Sequence, residues 1–159
     1  MNSMPLDAID RRLLNLLQVD SDRTIRALAT ELGVSAPTCL RRIRRLKRAK
    51  LLLGSCAQID PVRAGFSVQA IFEIKLHQSG GPALRRFESR MRTQGPVAQC
   101  FEVAGQLDYL VTVIARDMED LAGFIERALA SDENIASFRT HIVLRRVIDR
   151  RTLPIRDDD

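Results

Sequence analysis

Residues 34–50, VSAPTCLRRIRRLKRAK, leave this chain few ways to fold. They hold seven Lys or Arg and no acid. On a helix, Cys39, Ile43 and Leu46 stack along one side, because 3.6 residues per turn brings positions i, i+4 and i+7 together. Thr38, Arg41, Arg45 and Arg48 fall opposite, with Arg42 and Arg44 on the flanks. Such a helix buries a narrow stripe and turns a cationic face outward. What precedes it is just as restrictive. Gly33 ends a short helix whose cap is Thr24 and whose inward residues are Ile25, Leu28 and Leu32. Ser35 caps the next helix, and Pro37 lies in its first turn, where a missing N–H costs nothing. Upstream, Asp7 caps a first helix with Asp10 in its opening turn, and Ile9, Leu13, Leu16 and Leu17 form the stripe. Three helices with a glycine-containing turn before the last form a helix-turn-helix pattern.

The charge is concentrated in the same region. Residues 1–50 hold 11 bases against 5 acids, a net of +6, whereas residues 51–159 hold 14 against 15, a net of −1. A basic module joined to a nearly neutral one points to duplex DNA as the partner of the first. In a helix-turn-helix the second helix enters the major groove, N-terminal side chains foremost. Ser35, Ala36, Pro37 and Thr38 are therefore expected nearest the base edges, with Arg41 and Arg42 one turn on. Arginine suits guanine because its fork matches the O6 and N7 acceptors. Arg45, Lys47 and Arg48, and Arg26 on the preceding helix, are expected at phosphates, which give affinity rather than sequence choice. Cys39 is read as a core residue. Residues 51–59 are β-compatible and read as a wing or an exit strand.

Several classes are excluded at this level. The N-terminus lacks the basic and apolar regions of a signal peptide, and no apolar run approaches the roughly 20 residues of a membrane span. Cys39, Cys56 and Cys100 are odd in number and far apart, with no Cys-x-x-Cys, so neither a disulfide frame nor a metal site is expected. His77 and His141 lie on strands without a nucleophile or carboxylate at motif spacing, so no catalytic residues are expected. The reading is a soluble, cytoplasmic, non-enzymatic protein.

Pro61 and Gly65 break the pattern and place a hinge between residues 60 and 65. Beyond it, Val68, Ala70, Phe72, Ile74 and Leu76 alternate with mostly polar residues, as in a half-buried strand. Pro82 opens a helix with Leu84, Phe87 and Met91 inward. Residues 97–103 and 109–115 read as strands, Asp117 caps a second helix, and a last strand is expected over 138–148. The order βαββαβ is ferredoxin-like, with both helices on one face of an antiparallel sheet. The fold class is thus α+β: a (winged) helix-turn-helix domain over 1–60, a ferredoxin-like domain over 61–150, and a tail over 151–159. Residues 109–115 and Ile142-Val143-Leu144 are apolar on both strand faces, with Ile71, Phe101 and Val103 adding to the excess. Strands of that kind need cover on both sides, which predicts sheet-to-sheet pairing of two copies. The connection Gly105, Gln106, Leu107, Asp108 offers backbone N–H groups for a carboxylate and a carboxylate for an ammonium. It reads equally as a binding turn for an amino acid or as a plain hairpin loop with a turn hydrogen bond.

Leu6-Asp7-Ala8-Ile9-Asp10, Gly33-Val34-Ser35 and Arg41-Arg42-Ile43-Arg44-Arg45-Leu46 resemble the leucine-responsive and asparagine-responsive (Lrp/AsnC, feast/famine) regulators. Cys100, Val103-Ala104-Gly105 and Asp108-Tyr109-Leu110 resemble the second domain of the same family. The resemblance implies a sequence-specific transcriptional regulator of amino-acid metabolism that dimerises, assembles further into octamers, and answers to an amino-acid effector. It points to the Gly105–Asp108 loop for that effector, with Tyr109 and Thr140 as neighbours and Gln106 and Leu107 at variable positions. It implies no cofactor. The alternative is an architectural DNA-binding protein without ligand control. One departure stands out: the family's glycine at the end of the recognition helix is Lys50 here.

Overall fold

The computed structural model describes residues 4–78, 80–150 and 152–156. They divide into two compact units: Met1–Gln58 together with Ile148–Asp159, and Ile59–Val147.

The first unit contains α1 (Ala8–Val19), α2 (Ile25–Leu32) and α3 (Ala36–Arg48). Each begins at the cap read from the sequence. The Asp7 carboxylate accepts from Asp10 N–H at 2.8 Å while the Asp10 carboxylate accepts from Asp7 N–H at 3.3 Å, a reciprocal capping box. Thr24 and Ser35 accept from Ala27 and Thr38 N–H. The core is built from Leu13, Leu14, Leu28, Ala29, Leu32, Cys39, Ile43 and Leu46. Leu14 takes the buried place expected of Leu16 and Leu17, which are only half-buried beside it. Helices α2 and α3 end alike. Val34 N–H reaches Ala29 C=O at 3.0 Å, and Leu51 N–H reaches Leu46 C=O at 3.0 Å, the long bond of a Schellman motif. That motif needs a left-handed residue. Gly33 supplies it in the first case at φ 66°, and Lys50 in the second at φ 54°. Residues 51–60 form neither wing nor strand. Among the described residues no strand pairs with their backbone, and Leu53 and Ile59 stay exposed.

The second unit contains β1 (Val68–Leu76), α4 (Gly81–Thr93), β2 (Val97–Glu102), β3 (Tyr109–Ala115), α5 (Met118–Phe124) and β4 (Ile135–Ile142). Helix α5 continues as a π-helical segment, Ile125–Ala130. The sheet order is β2-β3-β1-β4, antiparallel throughout. Ala70, Phe72, Ile74, Leu76, Tyr109, Val111, Val113 and Ala115 face the helices and form the core with Phe87, Met91, Leu121, Phe124, Ala128 and Leu129. β4 lies earlier than the expected 138–148. Its partner β1 starts at Val68, and Val143 N–H to Gln69 C=O at 2.8 Å is the last rung. Past it no strand continues the ladder among the described residues, and Leu144 is 96% exposed. The register places Ile71, Leu110 and Ile114, half-buried, on the helix-free face with the exposed Phe101.

Candidate nucleic-acid interface and ligand loop

The two faces of α3 divide its cations into two sets. Arg41, Arg44, Lys47 and Arg48 are exposed and share one open concave strip with Pro37 and Leu40. Among the described residues no carboxylate pairs with any of these four. Ser35, Ala36 and Pro37 are exposed at the start of the helix, and Arg26 is exposed on α2. Ser35 Oγ donates to Thr38 Oγ1 at 2.9 Å, so the two hydroxyls fix one another.

Arg42 and Arg45 are placed differently from the sequence expectation. Arg42 Nη1 lies 2.6 Å from Asp7 Oδ2 and 2.9 Å from Asp10 Oδ1, and Arg45 Nη2 donates to Asp10 Oδ2. Asp10 is wholly buried, and the Arg42 side chain is 18% exposed. Position 42 sits one helical step from the core stripe, facing the acidic first turn of α1, and the buried carboxylate draws in the nearest guanidiniums. Partial burial pushes the Asp7 carboxyl up, but the Arg42 pair and the Asp10 N–H outweigh it and hold it below the usual range. Arg44, left on the flank by the sequence reading, joins the outer strip instead. Its signal was the i, i+3, i+7 spacing of positions 41, 44 and 48.

The expected effector residues do not converge on one place. Tyr109 faces the helices: it is buried, its ring lies 4.6 Å from that of Phe87, and its hydroxyl donates to Glu88 Oε1 at 3.1 Å. Burial and the Glu88 carboxylate both push its phenol far above the ordinary range. Thr140, paired with Phe72 on edge strand β4, is also on the helix side. Asp108 is a clasp: its carboxylate accepts from Leu76 N–H at 2.7 Å with Lys75 Nζ at 3.7 Å, and its own N–H donates to Ile74 C=O at 2.9 Å. Gly105 adopts φ 153°, which side chains rarely take. Gln106 and Leu107 line a concavity of about 390 Å³ with Glu73, Lys75, Phe138 and Arg139. On that side Glu73 accepts from Arg139 Nη1 at 3.3 Å and meets His141 Nε2 at 3.1 Å, a carboxylate neighbour that sequence spacing did not reveal.

A basic helix-turn-helix joined to a ferredoxin-like unit defines a two-part DNA-binding regulator. Residues 6–47 match the AsnC-type helix-turn-helix domain, and residues 69–153 match the Lrp/AsnC ligand binding domain. The chain is similar to the HTH-type transcriptional regulator AldR of Mycobacterium tuberculosis, 35% identical over 87% of this chain and 77% of that one. It is also similar to the leucine-responsive regulatory protein of Rhizobium meliloti, 32% identical over 91% and 92% of the two chains. A Neisseria meningitidis transcriptional regulator, solved as its L-Met complex, superposes with a TM-score of 0.89 at 25% identity, covering 94% of this chain and 97% of that one. The chain belongs to the Lrp/AsnC family of helix-turn-helix transcriptional regulators.

Proposed function

We propose that this regulator reads operator DNA through α3 as an assembly of at least two copies, under the control of an amino acid. The observation that carries the reading is the strip of Arg41, Arg44, Lys47 and Arg48, which has no acid partner among the described residues. Ser35, Ala36, Pro37 and Thr38 lead the helix into the major groove. Arg41 reads a base edge, and Arg44, Lys47, Arg48 and Arg26 meet phosphates. Arg42 and Arg45 hold α3 to α1 and set its angle. Ile71, Phe101, Leu110 and Ile114 on the helix-free sheet face support pairing with a second copy, and such pairs assemble further, up to an octamer. The protein acts as a regulator rather than an enzyme, in the cytoplasm. Among the described residues no helix is long and apolar enough to cross a membrane.

The Neisseria relative holds L-Met. In this chain the concavity beside Gln106 and Leu107 suits the same chemistry: Lys75 and Arg139 for a carboxylate, Glu73 for an ammonium, Leu107 for a side chain. The ligand acts by favouring one assembly geometry over another, since only differential binding shifts an equilibrium. Two measurements test the reading. Thermal shift against the twenty amino acids is expected to single out one or a few, with stabilisation of about 2.7 kcal/mol at 100 times the dissociation constant. Titration of a selected duplex against competitor DNA across salt is expected to show discrimination. A steep salt slope with equal affinity for both would replace regulation by architectural binding.

A further inference from the structure

After the sheet ends, the chain returns to the unit in which it began. Leu153, Pro154 and Ile155 form a γ-turn, with Ile155 N–H donating to Leu153 C=O at 2.9 Å. The fixed φ of proline, roughly −65°, suits the centre of an inverse γ-turn. Gln18 of α1 grips this turn with both ends of its amide. Its Oε1 accepts from Leu153 N–H at 2.6 Å and its Nε2 donates to Leu153 C=O at 3.3 Å. One helical turn back, Asn15 Nδ2 donates to Ile155 C=O at 3.0 Å. The two amides also touch, Gln18 Nε2 to Asn15 Oδ1 at 3.4 Å. All four backbone polar groups of Leu153 and Ile155 therefore have partners, and Pro154 brings no donor that needs one. The Ile155 side chain packs against the core cluster of the three helices. A trailing end would leave these groups to water. This one is received by a site shaped for it.

We propose that residues 152–156 are a strap fastened to α1, which gives the DNA-binding unit a second connection to the ligand-binding unit. With the strap fastened, the unit hangs from two chain segments, 51–67 and 144–150, instead of one. Two connections restrict its reach, and in a paired assembly they fix the spacing at which two copies of α3 meet DNA. The spacing part rests on the paired DNA reading proposed above.

The test uses the full chain in three forms: unaltered, Asn15→Leu with Gln18→Leu, and Pro154→Gly, which loosens the turn without altering α1. Hydrogen exchange is expected to accelerate about tenfold or more at the Leu153 and Ile155 amides in both variants, while the β3 amides stay unchanged. Duplexes are then selected from a random pool by the unaltered protein and lengthened by about five base pairs, half a helical turn, between half-sites. The lengthening is expected to cost the unaltered protein about tenfold in affinity and the variants about threefold or less. Equally fast exchange at Leu153 and Ile155 in all three proteins would show that no strap forms. Faster exchange in the variants with an unchanged spacing penalty would show that the strap restrains nothing, and the proposal falls. Failure of the unaltered protein to select any duplex overturns the DNA reading instead, and the exchange result still decides whether the strap exists.

Discussion

Arg42 Nη1 meets the buried carboxylate of Asp10 at 2.9 Å, and this pair joins the DNA-reading helix to the first helix of the chain. Removing one partner of a buried ion pair leaves the other charged and unpaired. Arg42→Ala is expected to destabilise the first unit by about 2 to 3 kcal/mol, just short of the range for such breaks because Arg45 still reaches Asp10. Urea denaturation measures it. Unchanged stability with altered base preference would return Arg42 to the DNA surface.

Asp7 gives the same cluster a pH dependence. Its carboxyl is held below the ordinary value of 3.8, so its contribution is present above that pH and is lost as pH falls through the folded value. Asp7→Ser keeps a cap acceptor for Asp10 N–H and removes the charge. Melting temperature followed from pH 5 down to about 2 is expected to fall less steeply in the variant than in the unaltered protein. Parallel curves would refute the assignment.

On the outer strip the expected effects reverse. Arg41→Ala is expected to leave stability within about 0.5 kcal/mol and to cost about 1 to 3 kcal/mol of discrimination at one operator position. Arg44→Ala and Arg48→Ala are expected to weaken all duplexes alike and to lower the salt slope by about 0.9 each. Equal, sequence-blind losses from all three would place α3 differently in the groove.

Lys50 holds a left-handed conformation at φ 54° where its counterpart Gly33 pays no steric penalty. Lys50→Gly is expected to raise the stability of the first unit by about 1 kcal/mol, read from the denaturation midpoint. A loss would mean that the lysine side chain contributes more than its backbone strain removes.

Tyr109 is the only tyrosine in the chain, so absorbance near 295 nm reports on it alone. Burial and then Glu88 hold its phenol above the ordinary value of 10.0, which favours the folded state below that pH and withdraws the advantage as pH rises through the folded value. Ionisation is expected only together with alkaline unfolding, and Tyr109→Phe is expected to abolish the absorbance change. A simple titration near pH 10 in the folded protein would contradict the Glu88 contact.

The elements legible from sequence were those set by nearby residues. Asp7, Thr24, Ser35 and Asp117 cap helices at the expected positions, because a cap bonds N–H groups two or three residues on. β3 runs over the expected residues 109–115. What escaped notice depends on distant partners. A helical wheel gives Arg42 an angle but does not show Asp10 waiting across the interface. β4 ends at Ile142 because β1 begins at Val68, far earlier in the chain, and no pattern around Val143 records that. Asp108 reads equally as a ligand carboxylate or as a turn acceptor in the sequence, and only the fold shows its carboxylate taken by the N–H of Leu76, a residue on another strand. The apolar character of residues 109–115 was visible, and the structure assigns its two faces: Tyr109, Val111, Val113 and Ala115 to the helices, Leu110 and Ile114 to the open side.

The clasp of Gln18 on Leu153 also has a consequence for biosynthesis. Residues 152–156 are translated after the whole sheet unit, so the three-helix unit emerges from the ribosome first and receives its finishing piece last. Until then the Asn15 and Gln18 amides lack their backbone partners in residues 153–155 and the core lacks Ile155, so a nascent chain stalled short of Leu153 carries three helices without their latch.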